Sequence, residues 1–292
     1  MKNHYVGEVK DYYKYGLIRH FSNEHKIKTA VCWMLTRDDG KGQGNDRRFI
    51  DNEQWAHFDE DLYIKMKIFK DEILRDVRVV ESKETKILEN CVFNSNPIDN
   101  KGNLEAHYYL EHEKRKEYFN HFIGISAECE LTFFDPDTGP QVKYMSKPPE
   151  EYLYWNEAKQ IYQKKKALLM FQFSRMNLTS IANRNKKIEQ SITYLAKAID
   201  ENVQGGGRRV TRMYTFASPQ VLFILATQPP HDGPIDKGAL AFQHTKWHKY
   251  GHPEQKGKNR MYGMVMDVID LKWNGNDVPK IKINDPDSCP DM

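Results

Sequence analysis

Residues 131–140, LTFFDPDTGP, hold the carboxylates best placed for chemistry in this chain. Four residues that favour a buried strand run into Asp135 and Asp137, and Gly139 follows at once. Ligands of open α/β sheets bind beyond the carboxyl ends of the strands, so two acids at such an end predict a site. Either acid could orient or deprotonate a bound group, and the pair could hold a metal ion. The local alternative is that both cap the turn by accepting backbone N–H bonds.

Two further segments carry residues of the same kind. The first is a glycine-rich loop after the predicted strand 29–36 (TAVCWMLT), with Asp38, Asp39, Gly40, Gly42 and Gly44 in the order DDGKGQG. Glycines permit tight turns and let backbone N–H groups approach an anionic or zwitterionic ligand, although glycines also occur in ordinary exposed turns. The second is Glu81, at the end of the predicted strand 77–81 (VRVVE). We expect all three acidic segments to meet at one edge of a sheet.

The elements that must position these residues alternate along the chain. Predicted strands are residues 29–36, 77–81, 131–134, 167–173, 210–216 and 221–227, and a shorter apolar stretch lies at 91–93. Predicted helices are residues 49–74, 104–123, 150–164 and 188–199, and residues 9–21 are expected to be helical toward their end. Alternation of this kind predicts a mostly parallel, Rossmann-like α/β sheet with helices on both faces. The last two strands predict an antiparallel hairpin at the C-terminal end of the sheet.

The sequence predicts two parts. Residues 1–228 form the α/β domain, and residues 229–292, rich in Pro, Gly, His and Lys, form an irregular basic C-terminal appendage with one edge strand within 261–272. Length and a hydrophobic content of 39% suit a soluble globular protein, and no apolar run approaches the roughly 20 residues of a membrane span. The four scattered cysteines contain no C-x-x-C pair, and the N-terminal residues lack a secretory apolar segment. These features predict a cytoplasmic protein without membrane contact.

Basic runs interspersed with aromatic residues indicate a nucleic-acid partner. The net charge is only +3, but 12% of the residues are aromatic and the basic residues are locally concentrated. Phosphate neutralisation and base stacking use these residue types, although such runs also form ordinary solvated surfaces. The runs are residues 164–166, 184–187, 208–209 and 246–258.

The order of these features resembles that of the class I S-adenosylmethionine-dependent methyltransferases over roughly residues 10–228. The resemblance implies that Asp38, Gly40, Gly42, Gly44 and Glu81 bind S-adenosylmethionine, with Glu81 on the ribose. It also implies that Asp135-Pro136 and Asp137 lie at the substrate, as in methyltransferases that act on nucleic acids. A closing antiparallel hairpin is part of the same family pattern. The opening residues Lys14-Tyr15-Gly16-Leu17 resemble a family of uncharacterised bacterial and phage proteins, which suggests a phage or mobile element as the source.

Two other functions remain open from the sequence. Asp39, Glu81, Asp135 and Asp137 could bind Mg²⁺ and activate water against a phosphodiester, as in a nuclease. Glu81 followed by Asp135-x-Asp137 is similar to the arrangement of Toprim domains. The third possibility is a methyltransferase-like module without activity that binds nucleic acid or a protein partner.

Overall fold

The chain forms a mixed α/β fold around one large sheet, as the sequence predicts. In the computed structural model the described residues are 1–36, 46–98, 110–141, 149–164, 166–178, 180–200, 212–228, 232–248, 264–272 and 280–284. The strands are β1 Thr29–Cys32, β2 Cys91–Asn94, β3 Leu131–Phe134, β4 Gly139–Pro140, β5 Tyr152–Leu153, β6 Ala167–Phe173, β7 Arg212–Ala217, β8 Val221–Ala226, β9 Val265–Lys272 and β10 Lys280–Asn284. The helices are α1 Val9–Arg19, α2 Glu60–Met66, α3 Val77–Glu81, α4 Leu110–Ile125, α5 Trp155–Gln163, α6 Ile181–Asp200 and α7 Pro234–Ala241.

The main sheet has the strand order β10-β9-β7-β8-β6-β3-β1-β2. The strands β2, β1, β3 and β6 are parallel to one another. Strand β8 lies antiparallel between β6 and β7, and β9 and β10 continue the sheet with antiparallel pairing. The predicted hairpin is therefore confirmed, and the parallel strands end at a shared edge, which we call the carboxyl edge.

Both faces of the sheet are covered because the strand residues are apolar on both sides. In β8, Val221, Phe223 and Leu225 pack into the core that contains α1, α2, α3 and α7. The alternate residues Leu222, Ile224 and Ala226 pack into a second core beneath α4, α5 and α6. Continuous apolar strands of this kind are typical of sheets buried on both faces.

One predicted strand is wrong: residues 77–81 form the short helix α3. The Asp76 side chain accepts the N–H of Arg78 and caps this helix, and the buried residues are Val77 and Val80, three positions apart. Helical periodicity and a capping Asp therefore decide the local structure, although valine favours strands. The second parallel strand of the sheet is β2, which follows α3.

The predicted helix over residues 49–74 is also wrong as a single element. Only α2 is α-helical there, and 3₁₀ turns flank it on both sides. The side chains of Asn52, Asp59 and Asp71 each accept a backbone N–H from a residue two or three positions on. Each of these bonds starts a new turn, because Asn and Asp compete with the helical hydrogen bonds.

The described part of residues 229–292 differs from the expected irregular appendage. It contains α7, which begins with Pro234, and the strands β9 and β10 of the main sheet. Strand β9 lies inside the sheet, since β10 pairs with its other side. Among the described residues, no helix has the length and apolar character needed to cross a membrane.

The packing of α1 against the C-terminal region gives a test of the fold. A Cβ atom on Gly16 would lie 2.3 Å from the buried ring of Trp247, whereas one on Gly124 in α4 would have no neighbour within 4 Å. We expect Gly16→Ala to lower the free energy of unfolding by about 1 to 3 kcal/mol through overpacking. Gly124→Ala should be neutral or stabilising by up to about 1 kcal/mol, from helix propensity alone. Urea unfolding of both variants checks this pair, and equal effects would contradict the packing described.

Candidate functional site

The order of the strands reverses at the carboxyl edge between β1 and β3, and we call the groove expected at this point the crevice. The chain leaves β1 for β2 on one side of it and then crosses to β3 on the other side. In open α/β sheets such a reversal of direction is where ligands bind. The segments that follow β1 and β3 therefore form the candidate site.

Thr36 and Asp137 join these two segments. The Thr36 hydroxyl donates a hydrogen bond to Asp137 Oδ2. Asp137 also lies 3.0 Å from the α-amino group of Met1, and Lys2 Nζ lies 3.2 Å from Glu151 Oε1. The predicted site residue Asp137 thus lies at the crevice, with its carboxylate held by Thr36 and by the N-terminal residues Met1 and Lys2.

The predicted cofactor loop begins directly after Thr36. Its residues Asp38, Asp39, Gly40, Gly42 and Gly44 lie outside the described residues. The described residues on each side of it are anchored, since Thr36 contacts Asp137 and the carbonyl of Asp46 accepts the N–H of Val9. The proposed role of the loop stays a prediction.

Asp135 lies deeper than the sequence suggests. Its side chain is 1% exposed and forms an ion pair with Lys14 of α1, whose Nζ lies 2.8 Å from Asp135 Oδ1. Lys14 also lies 3.0 Å from Asp11 Oδ1, so two carboxylates share one ammonium. These contacts fix α1 to the end of β3. Asp135 is therefore a residue that positions the site, and its carboxylate does not reach the crevice surface in this arrangement.

Lys14, Asp11 and Asp135 form a buried triad, and the pKa values of Lys14 and Asp135 depend on burial and on ion pairing. Burial by itself lowers the pKa of Lys14, but Asp135 and Asp11 outweigh it and raise that pKa above its usual value. Burial raises the pKa of Asp135, while the Lys14 ammonium acts to lower it. Lys14 therefore stays charged across the neutral range, and its charge compensates two buried acids.

Glu81 reaches the carboxyl edge from α3 and not from a strand end. Its Oε1 accepts hydrogen bonds from Trp33 Nε1, at 2.7 Å, and from Ser95 Oγ, at 2.6 Å. Trp33 follows β1 and Ser95 follows β2, so the carboxylate spans the ends of two neighbouring strands. Partial burial raises the pKa of Glu81, although both hydrogen bonds act to lower it. No described residue donates a hydrogen bond to Oε2, which leaves one oxygen for a ligand.

Asn94, the last residue of β2, supplies an unsatisfied donor at the same edge. Its side chain is buried, and its Nδ2 has no hydrogen-bond partner. A buried donor without a partner costs free energy. Alternation along β2 places Asn94 on the same face as Val92, which packs in the core beneath α4, whereas Phe93 and Trp33 pack in the core that contains α1. Asn94 and Glu81 therefore lie on opposite faces of the sheet, and Glu81 alone offers an acceptor that fits a ribose hydroxyl.

The carboxylates fit a Mg²⁺ site less well. In the described part of the chain, Glu81, Asp135 and Asp137 do not bring one oxygen each to within 4.8 Å of one another. Lys14 occupies the position beside Asp135 where a cation would bind. Asp39 lies outside the described residues, and the metal-dependent nuclease stays a prediction.

Two of the basic runs have structural partners. Lys166 Nζ donates to the backbone carbonyls of Ala127 and Cys129, and Arg184 forms a buried ion pair with Asp267 at 3.1 Å. Residues 208–209 lie outside the described residues, as does most of 246–258. The nucleic-acid partner therefore rests on the remaining basic residues and stays a prediction.

Sequence reasoning missed five residues at this edge of the sheet: Lys14, Trp33, Thr36, Asn94 and Ser95. A signal for Lys14 exists, because α1 carries large apolar residues all around its circumference, so its charged residues must be buried and paired. Trp33 and Thr36 lie within the predicted strand 29–36, and Asn94 and Ser95 follow the apolar stretch 91–93. Their positions near the end of a strand were the available signal, but their residue types suggest no chemistry by themselves.

Glu8, beside this triad, gives a prediction for the pH dependence of stability. Burial, with the nearby Asp11 charge, raises the pKa of the Glu8 carboxyl to about 8. The folded state therefore binds this proton more tightly than the unfolded chain, and stability falls as the pH rises from about 4.5 to about 8. We expect Glu8→Gln to remove that slope and to be more stable than the parent at pH 9 by roughly 1 to 3 kcal/mol.

Urea unfolding at pH 5, 7 and 9 measures this effect. Glu89→Gln, at an exposed position, is the matched control and should follow the parent at each pH. Parallel pH profiles for the parent and Glu8→Gln would contradict the assignment.

A separate cleft of about 280 Å³ lies at the opposite edge of the sheet, where β6 begins and β8 ends. It is lined in part by Lys166, Thr227 and Asp236. Asp236 accepts hydrogen bonds from Tyr214 and Thr227, so its carboxylate already has partners. This cleft includes none of the predicted site residues.

Comparison with protein-family models, with curated proteins and with solved structures finds no match to this chain.

Proposed function

We propose that the chain is an S-adenosylmethionine-dependent methyltransferase that acts on nucleic acid. The observation that carries the proposal is the convergence of polar groups at the reversal between β1 and β3. The Asp137 turn contacts the segment after β1 through Thr36, and Glu81 contacts the same segment through Trp33 and the end of β2 through Ser95. The closing antiparallel pair β7–β8 agrees with the family pattern that the sequence resembles.

Each residue has a defined part in this proposal. Glu81 Oε2 accepts hydrogen bonds from the ribose hydroxyls of the bound cofactor. The cofactor supplies an activated methyl group, so catalysis consists mainly of aligning the acceptor with it. Asp137 orients the acceptor at the crevice. Asp135 acts through Lys14, by holding α1 against β3.

Calorimetric titration with S-adenosylmethionine tests the proposal directly. We expect saturable binding at one site per chain, together with a rise in the midpoint of thermal unfolding. Transfer of a labelled methyl group to DNA or RNA tests the second step. Absence of both heat and thermal shift at millimolar cofactor would refute the proposal. Cofactor binding without transfer to DNA or RNA would refute the nucleic-acid methyltransferase activity and support the inactive module.

The salt dependence of nucleic-acid binding measures how much the basic residues contribute to the affinity. Phosphate contacts release counterions, so the binding constant should fall steeply between 50 and 200 mM salt. Retention that does not change with salt would contradict contact with the phosphate backbone.

A further inference from the structure

A cluster of three possible metal ligands lies at the end of α1. We call His20, Glu24 and His25 the His–Glu cluster. These residues form and follow a π-helical turn, His20–Glu24, in which the N–H of His25 donates to the carbonyl of His20. Turns of this type are rare and occur frequently at functional sites. The wider turn brings residues four and five positions apart to the same side, so the three side chains converge.

The hydrogen bonds of His20 determine its tautomer. Its Nε2 lies 2.8 Å from the carbonyl oxygen of Gly238, which can only accept, so Nε2 carries a hydrogen. In the neutral ring Nδ1 then has only a lone pair. Nδ1 lies 2.9 Å from Glu24 Oε2, which is also an acceptor when the carboxyl is ionised. Two acceptors at this distance need a positive centre between them, either a proton or a metal ion.

His25 supplies the third ligand. One ligand atom from each of the three residues lies within 4.8 Å of the others, and the two imidazole rings are 4.7 Å apart at an angle of 71°. No described residue forms a hydrogen bond with the His25 ring. Ligand atoms around tetrahedral Zn²⁺, bound at about 2 Å each, lie roughly 3.4 Å apart. His20 Nδ1 and Glu24 Oε2 lie 2.9 Å apart, so a small rotation of the Glu24 side chain, which is 59% exposed, would bring them to the spacing of two Zn²⁺ ligands.

The surroundings of His20 match those of a metal-binding histidine. Such histidines almost always donate their second N–H to a carbonyl or carboxylate, which fixes the ring. The Gly238 carbonyl in α7 has this role, and the His20 side chain is buried. A Cβ on Gly238 would lie 3.4 Å from the His25 ring, so both rings of the cluster lie beside the same residue of α7.

We propose that the His–Glu cluster binds one divalent transition-metal ion, with Zn²⁺ as the preferred occupant. Two imidazole nitrogens and one carboxylate oxygen suit Zn²⁺, Co²⁺ and Ni²⁺, whereas Mg²⁺ prefers oxygen ligands alone. Three protein ligands leave one coordination position for water, and the exposed Glu24 gives an ion access from solvent. The bound ion connects the end of α1, through His20 and Gly238, to α7. Its expected effect is on the stability of this connection.

Titration of chelator-treated protein with ZnCl₂, CoCl₂ and MgCl₂ tests the site. We expect one Zn²⁺ per chain by calorimetry, a rise in the thermal midpoint with Zn²⁺ but not Mg²⁺, and visible absorption from bound Co²⁺. His25→Asn and Glu24→Gln should each weaken Zn²⁺ binding at least tenfold. His244→Asn, at an exposed histidine outside the cluster, is the matched control and should bind like the parent.

Each outcome decides the proposal. Equal Zn²⁺ affinity in the parent and His25→Asn would assign binding to other side chains and overturn it. Absence of stoichiometric Zn²⁺ binding in folded parent protein would also overturn it, and would leave a proton between His20 and Glu24. Because His25 and Glu24 are partly or largely exposed, their variants should fold, and circular dichroism of each metal-free variant verifies this.

Discussion

Replacing Lys14 with methionine is expected to lower the free energy of unfolding by about 3 to 5 kcal/mol. Methionine retains most of the apolar volume but leaves the carboxylates of Asp11 and Asp135 buried without their shared ammonium. An uncompensated buried charge costs far more than the loss of an exposed ion pair. Urea unfolding at pH 7 measures the change. The loss should diminish at low pH, where the two carboxyls can take up protons.

Further variants distinguish the loss of the ion pairs of Lys14 from the loss of its packing. Asp135→Asn should cost less than Lys14→Met, because Lys14 keeps Asp11 as its partner. Combining the two substitutions should recover part of the stability that Lys14→Met loses, since one of the two orphaned charges is then absent. Lys10→Met on the same helix is the matched control: Lys10 lies 3.8 Å from Glu8 and is more exposed, so we expect a change within about 1 kcal/mol. Equal losses for the Lys10 and Lys14 variants would contradict the role assigned to the buried pair.

Glu81→Gln is expected to weaken S-adenosylmethionine binding by about 10- to 100-fold with little change in the thermal midpoint. The glutamine carbonyl can still accept the hydrogen bonds from Trp33 and Ser95, so the local fold is retained. Its amide nitrogen replaces Oε2 and cannot accept a hydrogen bond from a ribose hydroxyl. Loss of a hydrogen bond to a charged group corresponds to roughly 1.5 to 3 kcal/mol, which gives the expected range.

Calorimetry of the parent, Glu81→Gln and Glu84→Gln makes this comparison. Glu84 is exposed shortly after α3 and bonds Ser82, so its variant removes a nearby charge without touching the crevice. We expect parent-like affinity for Glu84→Gln. If both variants lose affinity for S-adenosylmethionine equally, the loss is caused by the change in net charge near the site. The proposed contact between Glu81 and the ribose would then be wrong.

The fold was largely predictable because the strands carry strong local signals. The apolar runs of β6 and β8 are long and bounded by polar residues, and β-branched or aromatic residues are frequent in them. The structure of the segment 77–81 was not predictable, because VRVVE fits the alternation of a strand as well as it fits one helical turn. The side chain of the preceding residue, Asp76, caps the segment and favours the helix. A cap formed by one residue is a weak signal in the sequence of so short a segment.

The site was predictable in place but not in its contacts. The acids of the Asp135 turn follow a strand, so the edge that they occupy can be read locally. Lys14 contacts Asp135 across 121 positions of sequence, and no periodicity encodes a pair so distant. Glu81 reaches the expected edge, although the strand from which we expected it to do so is a helix. The His–Glu cluster was missed because its convergence depends on a π turn, for which we know no sequence signal.

The long-range contacts of α1 also have a consequence for folding on the ribosome. Asp135, which pairs with Lys14, and Trp247, which packs on Gly16, are synthesised 121 and 231 positions after those residues. The tyrosines and charges of α1 must therefore remain solvated, or bound by a chaperone, until both later segments have left the exit tunnel. Contacts of such high sequence separation slow folding, so docking of α1 should be among the last kinetic steps.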